Sequence, residues 1–529
     1  MLIALVLIPM LAGLVAFGLP TPAMRRGLLV GTAVVHVVLT AVCWKITPAP
    51  ALNGWLALDA AGLLFLSITS GLFFVASIYA AGYLGQEANR HNTDPEEGLL
   101  FDNAPEAVFI GCLLLFLAAM TLVTVSQHFG LLWVAIEGTT LASAPLIYYH
   151  RHHRSLEATW KYLLICSVGI ALALLANFFM GVAAAHPDRE SYPIVLSQLV
   201  AHAQDLQVPW LKVACILFFV GYGTKMGLAP MHTWLPDAHS EAPSVVSALL
   251  SGAVLNCAFL GLLRMQQVCV AANLQLFTRD VWIALGLVSL VVSAVFIIGQ
   301  TDYKRLLAYS SVENMGILAL GVGIGGAGAF GAMLHAVNHS LVKAMLFLLA
   351  GNIVARYQTK NILQVRGLLR AAPVTGVLWV AGFLAITGTP PFGPFMSKFT
   401  ILKAALDGHH VWVVAVFLAM LGVIFIGMAT AFLGMAQGEP ERTADAQPSS
   451  PQTAGLPGRS PQEQEQISPP SLFGLRRGSL RPRFAAGEDW WQIIPPAALG
   501  VLVLWLGLNV PAKLNEVLHQ IAATLGGAS

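Results

Sequence analysis

The chain has 529 residues, 57% of them hydrophobic and only 10% charged. A soluble domain carries about 25% charged residues, so a soluble protein of this size is excluded. The formal net charge of +2 gives no footprint for nucleic acid. What remains is a chain that crosses a lipid bilayer many times, with apolar runs of about 20 residues each.

The runs predict an all-α, polytopic membrane protein of about 14 transmembrane helices. In chain order they cover 1–19, 27–45, 59–84, 105–127, 128–149, 157–183, 209–230, 243–265, 280–300, 305–325, 328–355, 372–406, 411–436 and 491–511. The first run lacks a basic start and a clear small-residue cleavage site, and it reads as a retained helix rather than a signal peptide. Basic residues concentrate in the loops after odd-numbered helices, among them Arg25, Arg26, Arg151, Arg154, Lys304, Arg305, Arg356, Lys360, Arg366 and Arg370. By the positive-inside rule those loops are cytoplasmic and both termini lie outside. The expected organisation is three N-terminal helices (1–104), a first repeat (105–265), a second repeat (280–436), a polar flexible cytoplasmic linker (437–489) and a C-terminal helix with its tail (490–529). The linker is too rich in Pro, Gln and Ser to bury a core.

The six cysteines, Cys43, Cys112, Cys166, Cys215, Cys257 and Cys269, form no CxxC pair. They read as small buried side chains rather than metal ligands or disulfides. No haem, iron–sulfur or nucleotide motif is visible, so no cofactor is expected and any redox chemistry must come from partners.

Two helices carry breaks. The seventh reads "FFVGYGTKMGLAPMHTWLP" around Lys225, and the twelfth reads "LAITGTPPFGPFMSKFTIL" around Lys398. Proline removes a donor and clashes with the preceding turn, and in lipid the freed carbonyls need protein or water. The breaks are five helices apart. Five is odd, so a repeat of helices four to eight onto nine to thirteen is inverted in the membrane, and interruptions in corresponding places point to a transport site.

Ionisable residues inside spans are functional candidates. Glu137 lies within "LLWVAIEGTTLASAPLIYY" with no cation one turn away on its own helix, and Lys225 is its nearest basic candidate. A pair about 4 Å apart at an effective dielectric near 20 is worth about 4 kcal/mol, and moving one charge through 100 mV costs about 2.3 kcal/mol. Opening such a pair could drive a proton off Lys225; a static ion pair is the alternative. In the eleventh helix, "LHAVNHSLVKAML" puts His335, His339 and Lys343 at i, i+4 and i+8 on one face, over about 12 Å of axis. Together with Lys398 these residues suggest a lateral line of proton transfer, with Glu137 as its switch. Asp59, Glu313 and His36 are weaker candidates. Asp237, His239 and Glu241 read as solvated loop residues, and Lys161 and Lys212 as snorkelling side chains.

The segments "GYGTKMGLAPMHTWLPDAHSEAPSVVSALLSG", "TDYKRLLAYSSVENMG", "HSLVKAMLFLLAGN" and "GTPPFGPFMSKF" resemble the antiporter-like proton-translocating subunits of respiratory complex I, Mrp antiporters and membrane-bound hydrogenases. "HSEAPSVVSALLSGAVLNCAFLGLLR" is most similar to the hydrogenase-4 component F type. The resemblance implies fourteen helices with two inverted five-helix repeats. It implies an intake-side pair of Glu137 and Lys225, a central relay of Lys343 and His339, and Lys398 on the exit side. It also implies other antiporter-like membrane subunits and peripheral hydrogenase or dehydrogenase subunits as partners. Relatives often place a lysine or histidine on the eighth helix, where this chain has Asn256 and Ser251; neither holds a proton at neutral pH. A subunit of an Mrp-type cation/proton antiporter and a non-conducting scaffold are the competing readings.

Overall fold

The computed structural model describes residues 1–87, 92–93, 100–185, 192–438 and 488–526. The linker expected over 437–489 falls outside the described residues except at its two ends.

Every predicted run is helical. Eleven helices are long and apolar enough to cross a membrane. The first span, Leu2–Gly18, is shorter. The seventh and twelfth are each built from two pieces, Val208–Met226 with Trp234–Glu241 and Pro373–Thr387 with Gly393–Asp407. Together they give the fourteen spans.

Span starts are fixed by local chemistry. The Thr21 hydroxyl accepts from Met24 N, and Pro22 stands at the first helical position of the second span, Pro22–Cys43, where its missing N–H costs nothing. His128 caps the fifth span, Phe129–Ile147, and Asp302 caps the tenth, Tyr303–Ile324.

The two breaks are closed by one device. Gly227 (φ +81°) and Gly388 (φ +87°) end the first pieces in the left-handed region. Leu228 N then donates to Gly223 O, and Thr389 N to Leu384 O, both at 2.9 Å. This is the bonding of a Schellman end, which needs a residue without a Cβ penalty. At each break a side chain also donates to a carbonyl of the last turn. Trp234 Nε1 donates to Thr224 O at 2.8 Å, and Lys398 Nζ donates to Ile386 O at 3.0 Å.

The eighth span, Ser244–Ala271, is buried on every side and forms the axis of the molecule. It contains a π-helical stretch, Leu250–Val254, a local widening common where a helix carries function. Large apolar side chains such as Leu164, Val168 and Phe178 point outward from the sixth span, His153–Ala183, as a lipid- or subunit-facing surface requires. After the fourteenth span, Trp490–Leu508, a last helix, Ala512–Thr524, lies back on the bundle and buries Leu518, Ile521 and Ala522.

Candidate functional site

The ionisable residues singled out in the spans sit at the breaks and at mid-helix. Lys343 is sixteen residues from one end and fourteen from the other of the eleventh span, Ala327–Tyr357. Lys225, Lys343, Lys398, His335 and His339 are all buried, while Glu137 is half-buried.

In the first repeat the expected direct pair is not formed. Among the described residues no carboxylate lies within ion-pair distance of Lys225. Its ammonium donates to Thr140 Oγ1 at 3.0 Å and to the Tyr162 hydroxyl, and it lies 4.5 Å from the Tyr162 ring centre. Tyr162 in turn bonds Ser143 at 2.6 Å. Glu137 sits one turn before Thr140 on the same span. It accepts from Ser167 Oγ at 3.2 Å, and its other carboxylate oxygen has no protein partner. The sequence could not reveal that hydroxyls on the fifth and sixth spans, from Thr140, Tyr162 and Ser167, are the partners of these two charges.

In the second repeat the corresponding pair is closed. Glu313 Oε1 accepts from Lys398 Nζ at 3.0 Å, with the two side chains 1% and 7% exposed. Glu313, a weak candidate from sequence, is therefore the partner of Lys398. The five-helix repeat was the signal that could have found it. Glu137 on the fifth span maps to Glu313 on the tenth, as Lys225 on the seventh maps to Lys398 on the twelfth.

Between the pairs runs a polar series that the sequence reading only partly caught. Lys343 Nζ donates to Leu307 O and Ser310 Oγ on the tenth span. On that span Asn314 Nδ2 donates to Ser310 O. With its amide so oriented, Asn314 Oδ1 accepts from His335 Nε2, and His335 Nδ1 shares a hydrogen bond with Ser397 Oγ, each at 2.9 Å. Ser397 is the residue before Lys398. Ser310, Glu313 and Asn314 are spaced i, i+3, i+4, one helical face.

His339, one turn from both Lys343 and His335, makes no well-formed hydrogen bond with either ring nitrogen among the described residues, with the Ser251 backbone close by; its ring centre is 6.4 Å from that of His335. Asn256 on the eighth span donates to Ser340 Oγ at 2.7 Å and leaves its own oxygen free. Ser251 bonds Ser311 at 2.8 Å. Buried polar atoms without protein partners need water, and those of His339 and Asn256 flank the Ser340 and Lys343 turn of the eleventh span.

Toward one face the line continues through His239. Sequence suggested a solvated loop residue. Instead the imidazole is 0% exposed, stacks on Phe347 at 4.9 Å between ring centres, and has no partner on either nitrogen. Phe347 is one turn from Lys343. Two residues beyond His239, Glu241 pairs with Lys360 at 2.8 Å in the wall of a cavity of about 160 Å³ that also holds His150, His152 and Lys304. Glu241 and Asp237 are thus also partnered rather than free, Asp237 by Lys161 and Arg305. At the cavity wall His150 bonds Asn103 and Tyr83. Burial, then His152, Lys304 and Lys360, push its pKa down to about 3 against the pull of Glu241.

Other candidates resolve as structural. His36 is buried and bonded to Ser70 and Thr121, both at 2.9 Å. Asp59 accepts from Gly62 N at the start of the third span, Ala60–Glu87, as a cap. All six cysteines are buried and free.

The transmembrane family described as NADH:quinone oxidoreductase/Mrp antiporter matches residues 126–424, which span both breaks and every ionisable residue of the line. This chain belongs to that family. The antiporter-like subunit is 36% identical over 349 residues to a hydrogenase-4 component F homolog of Methylacidiphilum infernorum, covering 66% of this chain and 72% of that one. It is 29% identical to hydrogenase-4 component B of Escherichia coli (69% of this chain, 53% of that one). It is 30% identical to Na(+)/H(+) antiporter subunit A1 of Staphylococcus haemolyticus (74% and 47%). The chain thus spans about half the length of the latter two. Its fold superposes on a chain of the Mrp complex from Dietzia sp. with a TM-score of 0.79 at 22% identity, covering 99% of this chain and 97% of that one. On a chain of respiratory complex I from Thermus thermophilus the TM-score is 0.74 at 23% identity, with both chains fully covered. The protein is therefore a multi-pass, antiporter-like membrane subunit of the complex I, Mrp and hydrogenase-4 kind.

Proposed function

We propose that the chain is a proton-translocating subunit of a redox-driven, hydrogenase-4-like complex in a prokaryotic inner membrane, with both termini on the outer side. The observation that carries this reading is a series of buried polar groups. Lys225 is held by Thr140 and Tyr162, Asn256 bonds Ser340 three residues before Lys343, and a hydrogen-bonded run leads from Lys343 through Ser310, Asn314, His335 and Ser397 to the adjacent Lys398 and Glu313. Histidine and lysine are the side chains whose proton affinity burial and neighbours can tune. Hydroxyls and amides between them can pass a proton through intervening water but cannot store it, so Asn256 joins the two repeats without acting as a carrier.

Protons enter from the cavity beside Glu241, by way of His239, to Lys343. The first-repeat pair is open and the second is closed, which gives the line two distinct states at its ends. Peripheral subunits supply the electron carriers, and other membrane subunits abut the chain. The test is donor-driven proton uptake in inverted membrane vesicles carrying Lys225→Ala, Lys343→Ala or Lys398→Ala. Coupled uptake should fall at least about tenfold while electron transfer by the partner subunits persists; unchanged proton stoichiometry in all three would leave the chain a scaffold. The 30% identity to a Na(+)/H(+) antiporter subunit favours one second reading, an ion-gradient-driven exchanger. Proton movement that requires sodium and no electron donor would select it.

A further inference from the structure

Arg264 is 1% exposed in the eighth span, and the line described above does not use it. Its guanidinium donates to Val123 O at 3.2 Å and to Thr124 O at 2.9 Å. These carbonyls lie in the last turn of the fourth span, Glu106–Val125, where no intrahelical partner exists and a cation is favoured by the helix dipole.

On the side away from the bundle centre, Asp59 Oδ1 is 3.6 Å from Arg264 Nη2. Asp59 is also held by Gly62 N and Gln127 Nε2. It lines a pocket of about 300 Å³, with Gln127, Ser197, Gln267 and Thr524. The pocket lies at the starts of the third and fifth spans, the face opposite the Glu241 cavity. The last helix is tied over it by Gln267 Nε2 donating to Thr524 Oγ1 at 3.1 Å.

On the side toward the centre, three buried polar atoms have no protein partner: Arg264 Nε, the Tyr222 hydroxyl and Asn256 Oδ1. Asn256 and Arg264 are eight residues apart on one helix, about 12 Å. Asn256 bonds Ser340, beside Lys343. Buried polar atoms without protein partners thus stand on the eighth span both at the middle of the line and next to the opposite pocket, and the last side chain before that pocket is an arginine.

We infer that Arg264 is an electrostatic plug that seals this branch of the polar interior against proton leak. The inference rests on the reading of the line as a proton path. A guanidinium does not release its proton in proteins, so it cannot relay one. Buried, with its nearest carboxylate 3.6 Å away and partly solvated, it presents a fixed positive charge that repels an approaching proton, as an arginine does in water-selective pores.

A merely structural cap and a plug differ in what they need. Glutamine keeps an N–H donor for the carbonyls but removes the charge; lysine keeps the charge. The complex carrying each variant is reconstituted in liposomes, and passive proton influx under a potassium diffusion potential is read with an internal pH dye, without electron donor. Arg264→Gln should leak about tenfold faster than wild type, equivalent to about 1.4 kcal/mol of barrier. Arg264→Lys should stay tight, and Lys343→Ala added to Arg264→Gln should restore the seal.

A tight Arg264→Gln complex overturns the plug. So does a Lys variant as leaky as the Gln variant, or a leak that Lys343→Ala leaves untouched. Asp59→Asn keeps Arg264 in place and covers the case in which Arg264→Gln does not assemble. It should change neither leak nor donor-driven release; slowed release would make the pocket an outlet and end the proposal. Failure of the underlying reading looks different: pumping would persist in Lys343→Ala with Arg264 intact.

Discussion

Glu313 and Lys398 form, within the second repeat, the contact that Glu137 and Lys225 do not make in the first. The two pairs lie on spans five apart, the fifth and seventh against the tenth and twelfth, so the chain holds one arrangement closed and the other open at the same time. In the closed pair each charge offsets the other's desolvation. In the open one Lys225 is satisfied by a tyrosine and a threonine hydroxyl, and Glu137 by a serine.

This asymmetry predicts unequal costs of removing the two carboxylates. Glu313→Ala leaves Lys398 buried without its counter-ion and should destabilise by about 3–5 kcal/mol. Glu137→Ala should cost about 1 kcal/mol or less, because its carboxylate is half-buried and accepts a single protein hydrogen bond. Thermal unfolding of the purified complex in detergent checks the difference. Coupled proton uptake should fail in both.

Tyr162 is the closest support of Lys225. Removing its hydroxyl deletes a hydrogen bond to a charged group, worth about 1.5–3 kcal/mol, while Ser143 keeps its bond to Thr139 O. Tyr162→Phe should therefore lower stability by about that amount and slow coupled uptake, although no ionisable carrier has been removed. Uptake at the wild-type rate would show that Lys225 needs no hydroxyl partner.

The two stripe histidines should separate cleanly. His335 is bonded on both nitrogens, so His335→Ala orphans Asn314 Oδ1, with Ser397 keeping its bond to Pro394 O, and should cost about 1–3 kcal/mol. His339 is bonded on neither. His339→Leu removes two buried unpaired polar atoms and should leave stability unchanged or raised, while uptake falls at least about tenfold. Unfolding midpoints and dye-quench uptake on the same preparations distinguish the two.

His150 sets a pH dependence at the cavity face. Its folded-state pKa, about 3, lies below the unfolded value of about 6.5. Below pH 6.5 the unfolded chain binds the proton that the folded chain refuses, so stability falls as pH drops from about 6.5 toward 3. His150→Gln keeps a polar partner for Asn103 and Tyr83 and removes the titration. The variant should lose less stability than wild type between pH 6.5 and pH 4, as read from unfolding midpoints across that range.

Sequence carried the fold and much of the line because both follow from one-dimensional signals. Span length, loop charge, the Gly/Pro breaks at 227 and 388 and the i, i+4, i+8 stripe of the eleventh helix are all local patterns. What escaped was set by contacts between spans. Which hydroxyl would reach Lys225 depends on how the sixth span packs beside the fifth. His239 looked solvated because it follows a break, yet the second piece of the seventh span folds inward and puts the imidazole on Phe347. Ser310 and Asn314 drew no notice because neutral polar residues are common in helices; only their spacing with Glu313 marked a face. Arg264 drew no notice near the end of a predicted helix, and only the fourth span's terminal carbonyls explain its depth.

The bond from Lys398 to the Ile386 carbonyl ties backbone shape to protonation. The same ammonium that meets Glu313 also fills the acceptor left empty where the twelfth span is interrupted. If that side chain swings toward Ser397 or loses its charge, the carbonyl is stranded in a medium that offers few replacements. The two pieces of the span must then shift or admit water. A change of one proton at this lysine is thereby converted into bending of the helix that carries it, a mechanical signal that a neighbouring subunit packed on the same span can feel.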